Sequence, residues 1–179
     1  LQFKNKTFLL KGNPGSGKTI VMYKLWHQFG GLDKKTKKSM NASIIKNKGI
    51  PMLINLKECF NESLENVIRE RQKDYQIRSH NIGFYYLLDG LDEINEEKAE
   101  QIIIDILKLD QMENTKKIII SSRSGNSNIF LLNHYLEKIK IFEIDELNET
   151  QIEYFFNGKK NTNKLDRFIK LKKSNKGII

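Results

Sequence analysis

A three-layer α/β sandwich around a mainly parallel, five-stranded sheet is what this sequence predicts, and three observations carry it. Short apolar runs alternate along the chain with segments of helical periodicity, the rhythm of β-α-β units. The run Ile118-Ile119-Ile120 is apolar at successive positions, as a strand covered by helices on both faces requires. A strand, a glycine-rich turn and an amphipathic stretch also follow one another directly over residues 7–29. The length of 179 residues suits one compact domain, and 39% hydrophobic against 30% charged residues is enough for a core.

Taken in order, Thr7 to Lys11 is the first strand, ending at Gly12. Ile20, Val21, Leu25 and Phe29 recur with helical spacing, and Gly30-Gly31 stops that helix. Residues 32–49 are polar and basic, a loop or a weak helix. Pro51 to Leu56 is the second strand, and Asn61 caps a helix through about Lys73 with Leu64, Val67 and Ile68 on one face. Ile82 to Leu88 is the third strand, with Asp89 at its tip. Asn95 caps a helix to about Leu109, apolar at Ile102, Ile103, Ile106 and Leu107. Ile118 to Ile120 is the fourth strand. The alternation of Ile139 to Ile144 suits a fifth, edge strand, after which Asn148 or Thr150 opens a helix with Ile152, Phe155 and Phe156 inward.

Composition removes several classes of function. No apolar run is long enough to span a bilayer, so no membrane partner is expected. The single Cys59 forms no internal disulfide, and His27, His80 and His134 are too scattered for a zinc site. These features suit a reducing compartment, the cytoplasm. A start at Leu1 without Met reads as a domain of a longer polypeptide. The net charge of +9 is uneven: residues 1–60 hold twelve lysines against only Asp33 and Glu58. Basic stretches at 34–48 and 159–176 allow a nucleic-acid partner. Only five arginines and no interleaved aromatics argue instead for solvated loops.

Gly12-Asn13-Pro14-Gly15-Ser16-Gly17-Lys18-Thr19 fits G-x-x-x-x-G-K-[ST], the phosphate-binding P-loop. Its glycines let backbone N–H groups wrap a phosphate while the helix N-terminus adds positive potential. Lys18 reaches the β- and γ-phosphates, and the Thr19 hydroxyl is a Mg²⁺ ligand. Phe84 to Asp89 is an apolar strand with a carboxylate at its tip, the second half of such a site, so Asp89 holds the metal. In Asp89-Gly90-Leu91-Asp92-Glu93, a carboxylate beyond the metal ligand can polarise the attacking water. Glu93 is the first choice for that role and Asp92 the second; the competing reading has both merely capping the next helix. Arg123, ending Ile118-Ile119-Ile120-Ser121-Ser122-Arg123, is placed to contact the γ-phosphate, with Ser122 a lesser polar contact. The order of these strands implies a P-loop NTPase sheet of order 5-1-4-3-2. Asn163-Lys164-Leu165-Asp166 matches a guanine-reading tetrad, but no apolar strand precedes it, so ATP is preferred.

With these motifs the chain resembles the NACHT group of STAND-type P-loop ATPases, the switch modules of innate-immune and antiphage receptors. The resemblance rests on Phe8 to Thr19, on Leu87-Leu88-Asp89-Gly90-Leu91-Asp92-Glu93, on Ser121-Ser122-Arg123 and on Phe142 to Ile152. It implies a slow, regulatory ATPase: ADP holds a resting state, and exchange for Mg-ATP permits homo-oligomerisation of a parent that carries effector and sensor domains. Residues 1–157 are then the NTPase core, and 158–179 open a helical subdomain. The alternative is an AAA+-like motor or DNA-associated ATPase, against which stands the absence of arginine from residues 124–166. A small-molecule kinase lacks its arginine-rich lid. A scaffold with a vestigial P-loop is disfavoured because Lys18, Thr19, Asp89 and Glu93 are all present.

Overall fold

In the computed structural model, which describes residues 6–31, 49–74, 82–136, 139–145 and 150, five parallel strands form one sheet in the order β2-β3-β4-β1-β5. The strands are β1 (Thr7–Gly12), β2 (Ile50–Asn55), β3 (Phe84–Asp89), β4 (Thr115–Arg123) and β5 (Lys140–Ile144). Read from the other edge this is the 5-1-4-3-2 order expected from the motifs. The helices are α1 (Lys18–Gln28), α2 (Leu64–Asp74), α3 (Glu96–Gln111) and α4 (Ser127–Tyr135), with short 3-10 turns at Leu56–Phe60 and Leu91–Glu93.

Alternation along each strand sends side chains to two cores, because successive residues point to opposite faces of a sheet. Leu9, Met52, Ile54, Tyr86, Leu88, Ile118 and Ile120 pack on one face beneath α2, α3 and α4. Leu10, Leu53, Leu87 and Ile119 pack on the other, against Val21, Met22, Leu25 and Trp26 of α1. The three-layer prediction holds. From α3 alone Ile102, Ile103, Ile106 and Leu109 enter the larger core, each stabilising the fold by about 1.5–3 kcal/mol. That stripe defines the helix face, and Asn95 starts the helix, its Oδ1 accepting the Lys98 N–H at 3.1 Å.

Several details differ from expectation for local reasons. The cap of α2 is Ser63, whose Oγ accepts from Asn66 N–H at 3.2 Å; Asn61 instead ends the preceding 3-10 turn. Ile20 lies on the exposed side of α1, 63% accessible, and the residue that α1 buries completely is Met22. β3 begins at Phe84 rather than Ile82, and β4 is longer than its isoleucine run at both ends. Helix α4 had no counterpart in the periodicity; Asn126 caps it through the Asn128 N–H at 2.9 Å. At the edge, β5 pairs only with β1 among the described strands, leaving Ile141 and Phe142 about half exposed.

The chain divides into two compact units, Leu1–Ile144 and Asp145–Ile179, and the sheet with its helices belongs to the first. The basic stretch 34–48, the 163–166 tetrad and the segment 151–179 lie outside the described residues. Among the described residues, no helix is long and apolar enough to cross a membrane.

Candidate functional site

β1 delivers the chain into a tight loop at the carboxyl end of the sheet. A Cβ at Gly12 would lie 2.6 Å from Ser16 Oγ and 3.1 Å from the Ile144 carbonyl, so only glycine fits there. The loop closes through Ser16 N–H donating to the Asn13 carbonyl at 3.1 Å. Gly15 and Gly17 have φ of 77° and 92°, left-handed conformations with open space beside them. Gly17 is the N-cap of α1 and supplies no side-chain cap, and the first turn holds no acid. The unpaired N–H groups of that turn therefore face any anion in the loop. Lys18 Nζ donates to the carbonyls of Gly12 at 2.8 Å and Asn13 at 3.0 Å, using two of its three N–H groups. The Ser16 hydroxyl is buried in the loop without a partner. Beside the loop, a hydrogen bond from Lys11 holds the Glu143 carboxyl below the usual range. That pair, 3.0 Å long, ties the ends of β1 and β5 together.

Asp89 is gripped from two sides. Its Oδ2 accepts from Thr19 Oγ1 at 2.9 Å, joining the start of α1 to the tip of β3. Its Oδ1 accepts from Ser121 Oγ, which in turn accepts the Gly90 N–H at 2.9 Å. The register explains the second contact: Leu88 is level with Ile120, so the next residue along each strand meets at the sheet's end. Ser121, rather than Ser122, lines the cleft. Ser122 points to the other face and makes only a 3.4 Å contact with the Arg123 carbonyl.

The two acids that follow are separated by the 3-10 turn. Asp92, whose side chain is 6% exposed, turns toward β4: Oδ2 lies 2.8 Å from Arg123 Nε, and Oδ1 accepts the Arg123 backbone N–H at 3.0 Å. Glu93 is more open, and its Oε2 lies 3.2 Å from Lys57 Nζ. Neither side chain caps α3, since Asn95 does. Asn128 holds the turn from beneath, donating through Nδ2 to the carbonyls of Leu91 at 2.9 Å and Ile94 at 3.1 Å. Sequence reasoning missed Ser121, Lys57 and Asn128. The first two were visible as polar residues beside strand tips, but nothing in the sequence pairs them with Asp89 and Glu93.

A cleft of about 360 Å³ brings together Pro14, Gly15, Gly17, Lys18, Thr19, Asp89, Asp92, Glu93 and Arg123, while Gly12, Asn13 and Ser16 form the body of the loop behind it. Among the described residues no group of three or more His, Cys, Asp or Glu could hold a metal. One hydroxyl and one carboxylate suit Mg²⁺, which keeps several waters and shares its shell with phosphate. Open left-handed glycines, an uncapped helix start and a buried hydroxyl donor fit the phosphates. Bound in this cleft, Mg²⁺ would supply neutralisation of phosphate charge. Thr19 and Asp89 would hold it, Lys18 would bind the phosphates, and Glu93 is the carboxylate most open to the cleft for orienting a water.

No protein-family model matches the chain, and neither does any curated protein sequence. Solved structures do match in fold. ORC1 of Aeropyrum pernix, in complex with DNA, is 15% identical with a TM-score of 0.55, covering 87% of this chain and 43% of that one. PCH-2 of C. elegans is 14% identical with a TM-score of 0.53, covering 87% and 39%. Cdc6p of Pyrobaculum aerophilum is 14% identical with a TM-score of 0.51, covering 86% and 42%. The chain thus spans about two-fifths of the length of these proteins. At this identity the likeness is one of fold: a three-layer α/β sandwich with the parallel sheet of P-loop NTPases.

Proposed function

We propose that this chain is a nucleotide-binding ATPase module that binds Mg-ATP in the P-loop cleft and hydrolyses it with Glu93 as the water-orienting carboxylate. The observation that carries the reading is the 2.9 Å hydrogen bond from Thr19 to Asp89. It brings the hydroxyl at the end of the glycine loop onto the carboxylate of a separate strand, the donor pair that a phosphate-bound Mg²⁺ needs. Lys18, Glu93 and Arg123 line the same cleft.

The neighbours of similar fold are of the AAA+ type, and they favour an AAA+-like or DNA-associated ATPase over a signalling switch. The DNA in the ORC1 structure supports that setting. The second reading, a NACHT-like switch in which ADP gives way to ATP before homo-oligomerisation, is supported by the run Asp89 to Glu93 and by Ser121-Ser122-Arg123.

Calorimetric titration with Mg-ATP tests the shared claim. Binding should be abolished by Lys18→Ala, and equal affinity in the variant would refute the cleft assignment. Turnover with and without duplex DNA separates the settings: stimulation that fades with salt supports the DNA-associated one, and ATP-dependent assembly without DNA supports the switch.

A further inference from the structure

Asp92 has a chemical assignment of its own in the geometry. Both its oxygens are committed to a single residue: Oδ2 to Arg123 Nε at 2.8 Å and Oδ1 to the Arg123 backbone N–H at 3.0 Å. The carboxylate is almost buried at 6% exposure, whereas the Arg123 side chain is 55% exposed. An arginine at an exposed strand tip ordinarily samples many rotamers. Here a charge-assisted bond at Nε fixes the plane of the guanidinium. Nε–H is one of its five donors, so the Nη groups keep four. Arg123 lines the cleft with Lys18 and Thr19, so those donors are available to an anion in the cleft. The clamp is itself anchored, because Asn128 holds the carbonyls on either side of the Asp92-Glu93 pair.

We propose that Asp92 is a positioning residue that presents Arg123 to the terminal phosphate, and so sets the preference of the site for nucleoside triphosphate over diphosphate. This rests on the nucleotide-binding reading above. It gives the two acids different work: Glu93 is left to the water, and Asp92 acts through Arg123. A residue that contacts only the terminal phosphoryl group contributes to triphosphate affinity and little to diphosphate affinity. Loosening it must therefore change the ratio of the two.

The test is a pair of titrations on the full chain, with a non-hydrolysable Mg-ATP analogue and with Mg-ADP. Asp92→Asn keeps the shape and an oxygen for the backbone N–H but removes the charge facing Nε. Triphosphate affinity should fall by about tenfold while diphosphate affinity changes less than about twofold. Arg123→Gln should reproduce that loss, and the double variant should add little to either single one. If Asp92→Asn does not fold, the single Arg123→Gln variant with Asp92→Glu carries the same comparison. An equal loss for both nucleotides, or an unchanged ratio in folded variants, would mean that the pair only staples β4 to the turn, and the proposal fails. Wild-type protein that binds neither nucleotide overturns the ATPase reading itself, and the proposal with it.

Discussion

Replacing Ser121 by alanine probes the contact that the sequence did not disclose. Ser121 is 1% exposed, and its hydroxyl accepts the Gly90 N–H at 2.9 Å and donates to Asp89 Oδ1. Ser121→Ala strands a buried N–H and removes a donor from a carboxylate. A buried polar group left unpaired costs about 1–3 kcal/mol. Asp89 is only partly buried and keeps Thr19 on its other oxygen, so water offsets part of the second loss. The total is then about 2–4 kcal/mol, which in a domain of this size lowers Tm by roughly 6–12 °C. Urea unfolding followed by circular dichroism reads this directly. Ser122→Ala is the matched control: Ser122 is as buried, but its long 3.4 Å contact should leave a cost of about 1 kcal/mol or less. Ser121→Thr keeps the hydroxyl and should recover much of the stability. Equal losses at 121 and 122 would refute the argument, since they would mean that burial rather than the Asp89 contact decides the cost.

Asn128→Ala leaves the carbonyls of Leu91 and Ile94 without their donor and should cost about 2–4 kcal/mol in the same assay; a loss well below 1 kcal/mol counts against the clamp. Glu93→Gln should retain Mg-ATP while turnover falls by about 10²–10⁴-fold, whereas normal turnover in Glu93→Gln with none in Asp92→Asn would reassign the base. Lys57→Met breaks only a largely exposed ion pair with Glu93, so steady-state turnover should change no more than about a few-fold. Burial, with Glu58 nearby, pushes the Cys59 thiol up from 9.0 to about 11. The folded state thus disfavours the thiolate, and this contribution to stability is complete below pH 9.0 and is lost as pH rises toward 11. Alkylation by iodoacetamide should correspondingly be about a hundredfold slower in native than in unfolded protein; equal rates would show that Cys59 is not buried.

Much of the fold was legible because its signals are local. The glycine spacing of residues 12–19 dictates a loop whatever the rest of the chain does, and the apolar run at 118–120 announces a strand covered on both faces. Strand order followed from which strands carry which motif. Helix α4 was not legible, because Ile129, Phe130, Leu131 and Leu132 are consecutive and mask any helical period. Ile20 kept the period of α1 yet faces the cleft, since the first turn of that helix overhangs the sheet's end rather than its face. The division of labour between Asp92 and Glu93 was equally hidden. Adjacent acids look alike in sequence, and only the turn after Gly90 decides which meets Arg123 and which meets Lys57.

The position of β1 between β4 and β5 bears on how the chain matures. Thr7 pairs with Ile118, and Phe8 with Lys140, so among the described residues the first strand has no strand partner until β4 begins at Thr115. Strands β2 and β3, by contrast, are close in sequence and pair with each other. Synthesis at about 5–20 residues per second leaves several seconds in which that parallel β-α-β half exists while β1 and its glycine loop await a strand partner. Closing so long a stretch also raises the contact order and slows the final docking step. A ribosome-bound intermediate cut off before residue 115 would therefore carry every residue of the glycine loop but lack the central strand that anchors β1 beneath it.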